Sequence, residues 1–222
     1  MNSFSSKKFI QSLMESKFIV QVYDSLFWRH SLFAMALLQI SSRREFETIY
    51  HALTCMNHPN AVLDVACGTG KYTRKLAQKM TVPAVFGLDI SMPMLNYAST
   101  KNQESGLDNI HLTRCDAKTL PFTEEYFDGV ICSGALHLFP DPQQVLLQIN
   151  SVLKAHGRFV FATFYKQSGF FFNYLDRYSA RFLGLTPFSI ETLERLLHNS
   201  NFINMKIHHK KGLWIIASAT KA

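Results

Sequence analysis

The stretch that decides the fold is Val62-Leu-Asp-Val-Ala-Cys-Gly-Thr-Gly70. Its apolar beginning predicts a short buried strand, and the residues from Lys71 to Met80 predict a helix. Gly68 and Gly70 let a ligand come close to the backbone, since a Cβ atom would block it. The helix N-terminus behind them offers unpaired N–H groups and the positive end of a dipole. The stretch therefore predicts a ligand site at the carboxyl edge of a sheet.

Two phosphate-binding patterns can be compared with this turn. A P-loop requires GxxxxGK[ST], but Tyr72 follows Gly70-Lys71 and Val65 occupies the place of the first glycine, so a P-loop is excluded. A dinucleotide fingerprint requires GxGxxG, and Thr73 occupies its third glycine position. Asp89 lies at a distance that suits a ribose contact, so an oxidoreductase stays open as an alternative.

Strands alternate with helices beyond this stretch, which indicates parallel strands with helices on both faces of the sheet. The predicted strands cover residues 61–66, 84–89, 110–114, 127–132 and 158–164, and the predicted helices cover 71–80, 92–104, 142–153 and 189–199. The last two predicted strands, 202–208 and 213–218, are joined by a turn too short for anything but an antiparallel hairpin. The sequence predicts a parallel sheet with one reversed strand.

Composition narrows the class of protein. The chain has 222 residues, of which 47% are hydrophobic and 18% charged, which excludes a disordered chain. The longest apolar run, Leu32 to Leu38, is far too short to span a bilayer, and the first residues lack the apolar core of a secretory signal. Four cysteines without a CxxC pair and nine histidines without HExxH favour reduced thiols and no metal site. We expect a cytoplasmic protein, either a monomer or a homodimer.

We expect one domain over residues 1–222. Its predicted parts are a helical N-terminal cap (1–57), a ligand-binding core (58–165), a cap insertion (166–188), and a C-terminal helix and hairpin (189–222). The net charge is +7, and the densest basic group is Lys71, Arg74, Lys75 and Lys79 on one predicted helix. This group is typical of a solvated helix face, while a nucleic-acid surface is the alternative.

Four further motifs follow the first one in order: Gly87-Leu-Asp-Ile-Ser91, Arg114–Phe122, Phe127–Pro142 and Val152–Val160. With these motifs the chain resembles the class I S-adenosylmethionine-dependent methyltransferases of the small-molecule type, which include the ubiquinone and menaquinone C-methyltransferases. The resemblance covers residues 60–165 strongly, the hairpin more loosely, and a lead-in segment at Val22–Arg29. It implies a Rossmann-like α/β fold with seven strands in the order 3-2-1-4-5-7-6, strand 7 antiparallel, and S-adenosyl-L-methionine as cofactor.

The resemblance also implies roles for individual residues around that cofactor. The residues expected around its methionine part are Asp64, Ala66, Cys67, Gly68 and Gly70, with Ser133 and Gly134 beneath the methionine amine. The residues expected around its adenosine part are Asp89 on the ribose, Ile90 and Met92 flanking the adenine, and Asp116 and Ala117 at the adenine edge. Tyr23 and Arg29 are expected to close over it. One departure from the family is Ala66, where a glycine is usual.

A methyl acceptor is harder to identify from the sequence. The [DN]PP[FYW] motif of amino-methylating nucleic-acid and protein enzymes is replaced by Ser133-Gly-Ala-Leu136, and the chain has no Pro-Cys pair as in cytosine C5 enzymes. The Phe-rich stretch 159–172 favours a small, apolar or aromatic acceptor. An RNA methyltransferase and a non-catalytic cofactor-binding protein stay open as alternatives. His137, just beyond the fourth strand, is the candidate catalytic base.

Each assigned residue has a structural alternative that the sequence leaves open. These alternatives are core packing for Tyr23 and Trp28, a surface ion pair for Arg29, a turn cap for Asp64, a helix N-cap for Asp89, and packing roles for His137 and for Phe170–Phe172.

Overall fold

The structure, a computed structural model, describes residues 39–54, 59–80, 83–166 and 187–222. The described helices are α1 (Ser42–Leu53), α2 (Lys71–Lys79), α3 (Met92–Glu104), α4 (Pro142–Val152) and α5 (Ile190–His198), with a short 3-10 turn at Leu136–Leu138. The strands are β1 (Ala61–Val65), β2 (Ala84–Asp89), β3 (Ile110–Arg114), β4 (Phe127–Ser133), β5 (Leu153–Phe164), β6 (Phe202–Lys211) and β7 (Trp214–Lys221). The helices predicted before residue 39 and the insertion after residue 166 lie largely outside the described residues.

The seven strands form one sheet in the order β3-β2-β1-β4-β5-β7-β6. The pairs from β3 to β5 are parallel, while β7 is antiparallel to both β5 and β6. The predicted strand order and the reversed seventh strand are therefore confirmed. Because β7 runs backwards, its first residue, Trp214, lies at the same edge of the sheet as the carboxyl ends of β1 to β5.

Each face of the sheet has its own hydrophobic core, because successive residues of a strand point to opposite faces. On β1, Val62 packs in a cluster with Phe46 and Ile49 of α1 and Leu76 of α2. Its neighbour Leu63 packs in the other cluster, which includes α4 and α5. Helix α3 covers β2 and β3, and its Ala98 approaches Gly70 at the start of α2. Because both faces of a central strand such as β1 are buried, its sequence is apolar at nearly every position.

The strand boundaries differ from the predictions at β5. The sequence predicts a strand from residue 158, but β5 begins at Leu153, directly after α4. Leu153 pairs with Phe127 and Arg158 pairs with Gly129, so the register shifts between them. His156 has a φ of 62°, and a Cβ on Gly157 would lie 2.8 Å from the carbonyl oxygen of Lys154. A bulge, which hydrophobic spacing does not reveal, causes the early start.

Helix starts agree with the sequence where a polar cap is present. Ser91 caps α3, since its side chain accepts a hydrogen bond from the backbone N–H of Met94, and Pro93 lies in the first turn.

Among the described residues, no helix is long and apolar enough to cross a membrane, and no group of three metal-ligating side chains occurs. Within the same residues Cys67, Cys115 and Cys132 are free thiols, while Cys55 lies outside them.

Candidate functional site

The turn after β1 has a left-handed backbone at three positions. The φ angles are 57° at Ala66, 55° at Gly68 and 68° at Gly70. The turn is tied to the neighbouring strand, because the N–H of Cys67 donates to the carbonyl oxygen of Leu88 at 2.9 Å. Glycine adopts this backbone freely, whereas the Cβ of an alanine makes it costly by about 1–2 kcal/mol. Ala66, which stands where the resembled family usually has a glycine, therefore has a strained backbone.

The two glycines of the turn have different surroundings. A Cβ built on Gly70 would lie 3.0 Å from Cβ of Ala98 and 3.2 Å from Nη1 of Arg74, so Gly70 permits close packing of α2 and α3. A Cβ built on Gly68 would have no described atom within 4 Å. The backbone at Gly68 therefore faces open space, which a ligand can occupy.

Asp64 lies near the end of β1 and is buried, with 3% of its surface exposed. The hydroxyl of Thr73 on α2 donates to its Oδ2 at 2.7 Å. Burial raises the pKa of Asp64 to about 7, and the negative charge of Asp89 adds to this rise, while the hydrogen bond from Thr73 opposes it. Asp64 thus connects β1 to α2 through its hydrogen bond with Thr73, and its pKa lies near neutrality. This structural contact is present whether or not Asp64 also binds a ligand.

Asp89, the last residue of β2, is joined to the glycine turn. Its Oδ2 accepts a hydrogen bond of 2.8 Å from the backbone N–H of Gly68, and its Oδ1 accepts one of 2.9 Å from the N–H of Ser91. The N-cap of α3 is Ser91, so Asp89 does not serve as that cap. Burial raises the pKa of Asp89, although these backbone N–H groups oppose the rise. A carboxylate oxygen has two lone pairs, so each can still accept a hydroxyl.

Cys67, between Ala66 and Gly68, points its sulfur back toward the sheet. A Cβ built on Gly87 of β2 would lie 3.1 Å from Sγ of Cys67. Burial raises the pKa of this thiol, and the carboxylates of Asp64 and Asp89 raise it further. Cys67 is therefore a neutral thiol that packs beneath the turn.

The residues expected around an adenine follow β2 and β3. Asp89 pairs with Arg114 at the ends of these strands, and the N–H of Cys115 donates to the carbonyl oxygen of Asp89 at 3.1 Å. The pairing of β2 with β3 brings the residues expected around the adenine to one edge of the sheet, namely Ile90, Met92, Asp116 and Ala117. Met92 is 42% exposed, so its side chain offers an apolar surface on which a planar ring can pack.

Asp116 is engaged within its own loop. Its Oδ1 accepts a hydrogen bond of 3.0 Å from the N–H of Lys118, and its Oδ2 lies 3.3 Å from Nζ of the same lysine. Its side chain is about two-fifths exposed, so solvent and ligands reach it. Ala117 beside it is buried. The loop after β3 is thus held in a turn by the aspartate expected to contact the adenine edge.

Ser133 is the last residue of β4, and Gly134 follows it, on the side of α1. The hydroxyl of Ser133 donates to Oε1 of Glu45 on α1 at 2.7 Å, and Glu45 is 1% exposed. Gly134 has a φ of 77°, and its N–H donates to the carbonyl oxygen of Ala162 at 2.8 Å. The sequence analysis missed Glu45. The helical spacing could have revealed it, because Glu45 lies one turn before the apolar Ile49 and therefore on the face of the helix that packs on the core.

His137 lies in the 3-10 turn after β4 and is 3% exposed. Its Nδ1 is 3.0 Å from Oγ1 of Thr163 and 3.5 Å from the backbone N of Phe164. Its ring meets the rings of Phe164 and Trp214 edge to face, at centroid distances of 4.7 Å and 6.2 Å. The structure therefore places His137 in an aromatic cluster at the ends of β4, β5 and β7, where Thr163 and Trp214 are further residues that the sequence analysis missed.

Most of the expected site residues are brought together at the carboxyl edge of the sheet. Tyr23 and Arg29 lie outside the described residues. The remaining residues fit S-adenosylmethionine in chemistry, since the open space at Gly68, the acid at Asp89 and the exposed Met92 follow one another from β1 to α3.

Comparisons with known proteins identify the family of the chain. A family model described as a methyltransferase domain matches residues 58–216. The demethylmenaquinone methyltransferase of Lactiplantibacillus plantarum is 43% identical over 101 residues, which are 45% of this chain and 43% of that protein. The chain thus spans less than half the length of this curated relative.

Solved structures share the fold. YcgJ from Bacillus subtilis has a TM-score of 0.65 at 18% identity, covering 79% of this chain and 98% of its own. The cyclase SpnF has a TM-score of 0.71 at 17% identity, covering 93% of this chain and 96% of its own.

Proposed function

This chain belongs to the methyltransferase domain family, as a class I S-adenosylmethionine-dependent member similar to the quinone methyltransferases, and we propose that it transfers a methyl group to a small, apolar or aromatic acceptor. The observation that carries the proposal is the contact between Asp89 and the N–H of Gly68 at 2.8 Å. It joins a ribose-binding acid to a turn whose backbone faces open space. A glycine turn after one strand and an acid at the end of the next are the features by which open α/β sheets hold the ribose of a ligand at the carboxyl ends of the strands.

Each part of the cofactor would have its own set of residues. Asp89 would accept the ribose hydroxyls, Ile90 and Met92 would flank the adenine, and Asp116 would accept from its exocyclic amine. The methionine part would lie along Gly68 and Gly70, with Ser133 and Gly134 beneath its amine. The cofactor supplies an electrophilic methyl group on a sulfonium, so the protein need only position the acceptor and exclude water.

An aromatic wall supports an apolar acceptor. Phe164 and Trp214 meet edge to face at a centroid distance of 5.0 Å, and His137 contacts both rings. This wall lies beyond β4 and β5, next to Gly134 at the end expected for the transferred methyl group. A flat, apolar molecule gains both area burial and ring contacts there. The name of the Lactiplantibacillus relative also points to an aromatic acceptor.

His137 is proposed as the base for an acceptor that must lose a proton. This role requires the tautomer in which Nδ1 carries the proton and donates to Oγ1 of Thr163, 3.0 Å away, in place of the 3.5 Å hydrogen bond that Nδ1 accepts from the backbone N–H of Phe164. Nε2 then has the lone pair that takes a proton from a phenol or an activated ring carbon. The edge-to-face contacts with Phe164 and Trp214 keep the ring in one orientation.

The basic group on α2 gives little support to the RNA alternative. Lys75 lies over the ring of Phe46 at 4.9 Å, and Lys79 lies over the ring of Tyr50 at 4.2 Å. Lys79 also pairs with Glu47, and Arg74 donates to the carbonyl oxygen of Thr69 at 2.7 Å. Lys75 and Lys79 thus attach α2 to α1, and Arg74 stabilises the glycine turn. These structural contacts account for the basic group without an RNA ligand.

The experiment that tests the function separates acceptor classes. The protein is incubated with cofactor carrying a deuterated methyl group and with a cell extract divided into small-molecule, RNA and protein fractions. Mass spectrometry is expected to find the heavy methyl in the small-molecule fraction, on an apolar or aromatic compound. Label found only in RNA would establish the basic-surface alternative. Label in no fraction, with the cofactor bound, would support a non-catalytic binding protein, as the fold shared with a cyclase allows.

A further inference from the structure

The hairpin of β6 and β7 carries positive charge without acids of its own. Residues 202–222 contain four lysines and two histidines but no aspartate or glutamate. Two cations of this region, Lys206 of β6 and Arg158 of the neighbouring β5, have no carboxylate within ion-pair distance among the described residues. Within the same residues, neither side chain donates a hydrogen bond to the protein. Their charges are therefore available to a ligand.

The strand register places these cations on one face of the sheet, together with His208. Val160 of β5 pairs with Ser218 of β7, and Ser218 pairs with Lys206. Arg158 lies two residues before Val160 and so shares its face, because side chains alternate along a strand. Nε2 of His208 is 2.8 Å from Oγ of Ser218, which brings the imidazole to the same face. The three cationic side chains thus lie around Ser218.

Solvent reaches all three side chains. Lys206 is exposed, and Arg158 and His208 are partly exposed. Partial burial lowers the pKa of His208, and the positive charges of Lys206 and Arg158 lower it further. The three groups are therefore close enough to repel one another, and an anion bound between them would relieve this repulsion.

The acids of the neighbouring elements are engaged with other groups. These contacts are Glu45 with Ser133, Glu47 with Lys79, and Asp128 with Lys154. The hydroxyls of Ser218 and Thr220 lie on the same face of β7, where Thr220 pairs with Arg158. A hydroxyl can donate to an oxygen of an anion. The described surroundings thus combine three cations with two hydroxyl donors.

We propose that Arg158, Lys206 and His208 form a binding site for a phosphate group, either free or on a small phosphomonoester. The planar guanidinium of Arg158 holds two phosphate oxygens, and Lys206 adds a point charge. When Nε2 of His208 accepts the hydroxyl hydrogen of Ser218, its Nδ1 carries a hydrogen and donates to the ligand.

This phosphate site is distinct from the methyl-transfer site. Arg158 lies six residues before Phe164, the last residue of β5. Six residues of a strand span about 20 Å, and the expected cofactor residues lie at the Phe164 end of the sheet. Phosphate binding should therefore be independent of the cofactor.

The test follows the ring of His208 by NMR, with His208→Gln to assign its resonances. Inorganic phosphate is titrated into the protein at constant ionic strength, and glycerol 3-phosphate is titrated in a second series. Each should move the His208 resonances saturably and raise the pKa of His208, because a bound anion stabilises the imidazolium. Tighter binding of glycerol 3-phosphate would assign the site to a phosphomonoester, and equal binding would assign it to free phosphate.

Two arginine variants test the assignment of the site. Arg158→Gln should weaken the binding of inorganic phosphate about tenfold or more, because charge-assisted hydrogen bonds are lost. Arg195→Gln, on the exposed face of α5, is the matched control and should bind like the wild type. The affinity for S-adenosylhomocysteine should be the same in all three proteins, so failure of the proposed function would not imitate failure of this inference.

The wild-type protein also contains an internal reference that does not depend on the folding of a variant. His198 is exposed at the end of α5, and its resonances should stay in place. Unmoved His208 resonances, or equal shifts at His208 and His198, would overturn the inference. Equal phosphate affinity in Arg158→Gln and the wild type would overturn it as well. An RNA oligonucleotide that moves His208 when neither small phosphate does would replace it with a nucleic-acid surface.

Discussion

The hydroxyl of Ser133 at the end of β4 donates to a carboxylate oxygen of Glu45 at 2.7 Å, across a sequence separation of 88 residues. Glu45 is 1% exposed, so its carboxyl group is enclosed between α1 and the sheet. A buried carboxylate is stable only with partners that compensate its desolvation. Because Ser133 is expected beneath the amine of the cofactor's methionine part, we expect Glu45 beside it to contribute to that part of the site.

Glu45→Gln should therefore weaken the binding of S-adenosylhomocysteine by about 1.5–3 kcal/mol, since a hydrogen bond to a charged group is lost. Glutamine keeps the oxygen that accepts from Ser133, so the fold should persist. 5′-Methylthioadenosine, which lacks the amino-acid tail, should bind both proteins equally. Calorimetry with both ligands tests this, with Glu47→Gln on the exposed face of α1 as the control. Equal S-adenosylhomocysteine affinity in the wild type and Glu45→Gln would remove Glu45 from the site.

Ala66→Gly should stabilise the protein by about 0.5–1 kcal/mol. The left-handed backbone at Ala66, with φ of 57°, costs an alanine more than a glycine, and the larger entropy of glycine in the unfolded chain offsets part of this gain. Urea unfolding measures the change. Ala77→Gly, inside α2, is the control and should destabilise by about 1 kcal/mol. A loss of stability in Ala66→Gly would show that the strain at the turn is absent.

The pKa of Asp64, raised by burial to about 7, makes stability depend on pH. The folded state holds this proton more tightly than the unfolded state, so the contribution is full at low pH and declines as pH rises toward about 7. Unfolding free energies measured from about pH 5 to 8 should show this decline in the wild type and a weaker one in Asp64→Asn.

Asp128→Asn provides the control for that series. Burial would raise the pKa of Asp128, but Lys154 and the N–H groups of Ala61 and Asn60 outweigh it and lower the pKa. Its contribution to stability is therefore present above about pH 4 and is lost only at lower pH. The slope above pH 5 should be the same in this variant as in the wild type. An identical slope in Asp64→Asn would show that Asp64 does not cause it.

His137→Gln should lower kcat by about 10²- to 10⁴-fold if a phenol or ring carbon must lose a proton, since general-base catalysis contributes on that order. S-adenosylhomocysteine affinity should change little. The pH profile of kcat should also lose its acid limb, the fall in rate at low pH where the base is protonated, and a packing role would leave that limb in place. His198→Gln, at the exposed end of α5, is the control. Full turnover with the wild-type pH profile would leave positioning as the only source of catalysis.

The sequence predicted the sheet because central strands such as β1 and β4 are buried on both faces and are followed by a glycine-containing turn. The reversal of β7 followed from the short turn before Trp214 alone. The early start of β5 escaped prediction, because the bulge at His156 and Gly157 depends on backbone geometry and leaves no hydrophobic period. The acids Asp64, Asp89 and Asp116 could be identified because each lies within two residues of the end of a strand.

Glu45, Thr163 and Trp214 could not be found in this way. Each acquires its place through contacts between distant segments, such as that of Ser133 with Glu45, and none belongs to a local motif. Their neighbours are known only once the sheet order brings β4, β5 and β7 side by side.

The central claim is that Asp89 and the glycine turn form an S-adenosylmethionine site, and a titration tests it most directly. S-adenosylhomocysteine is expected to bind the wild-type protein one to one with micromolar affinity, while NAD does not bind. Asp89→Ala should weaken this binding by about 1.5–3 kcal/mol, because hydrogen bonds to a carboxylate are lost, while Asp108→Ala, an exposed acid in the loop before β3, should not. Binding of NAD, or equal affinity for S-adenosylhomocysteine in the wild type and Asp89→Ala, would contradict the account.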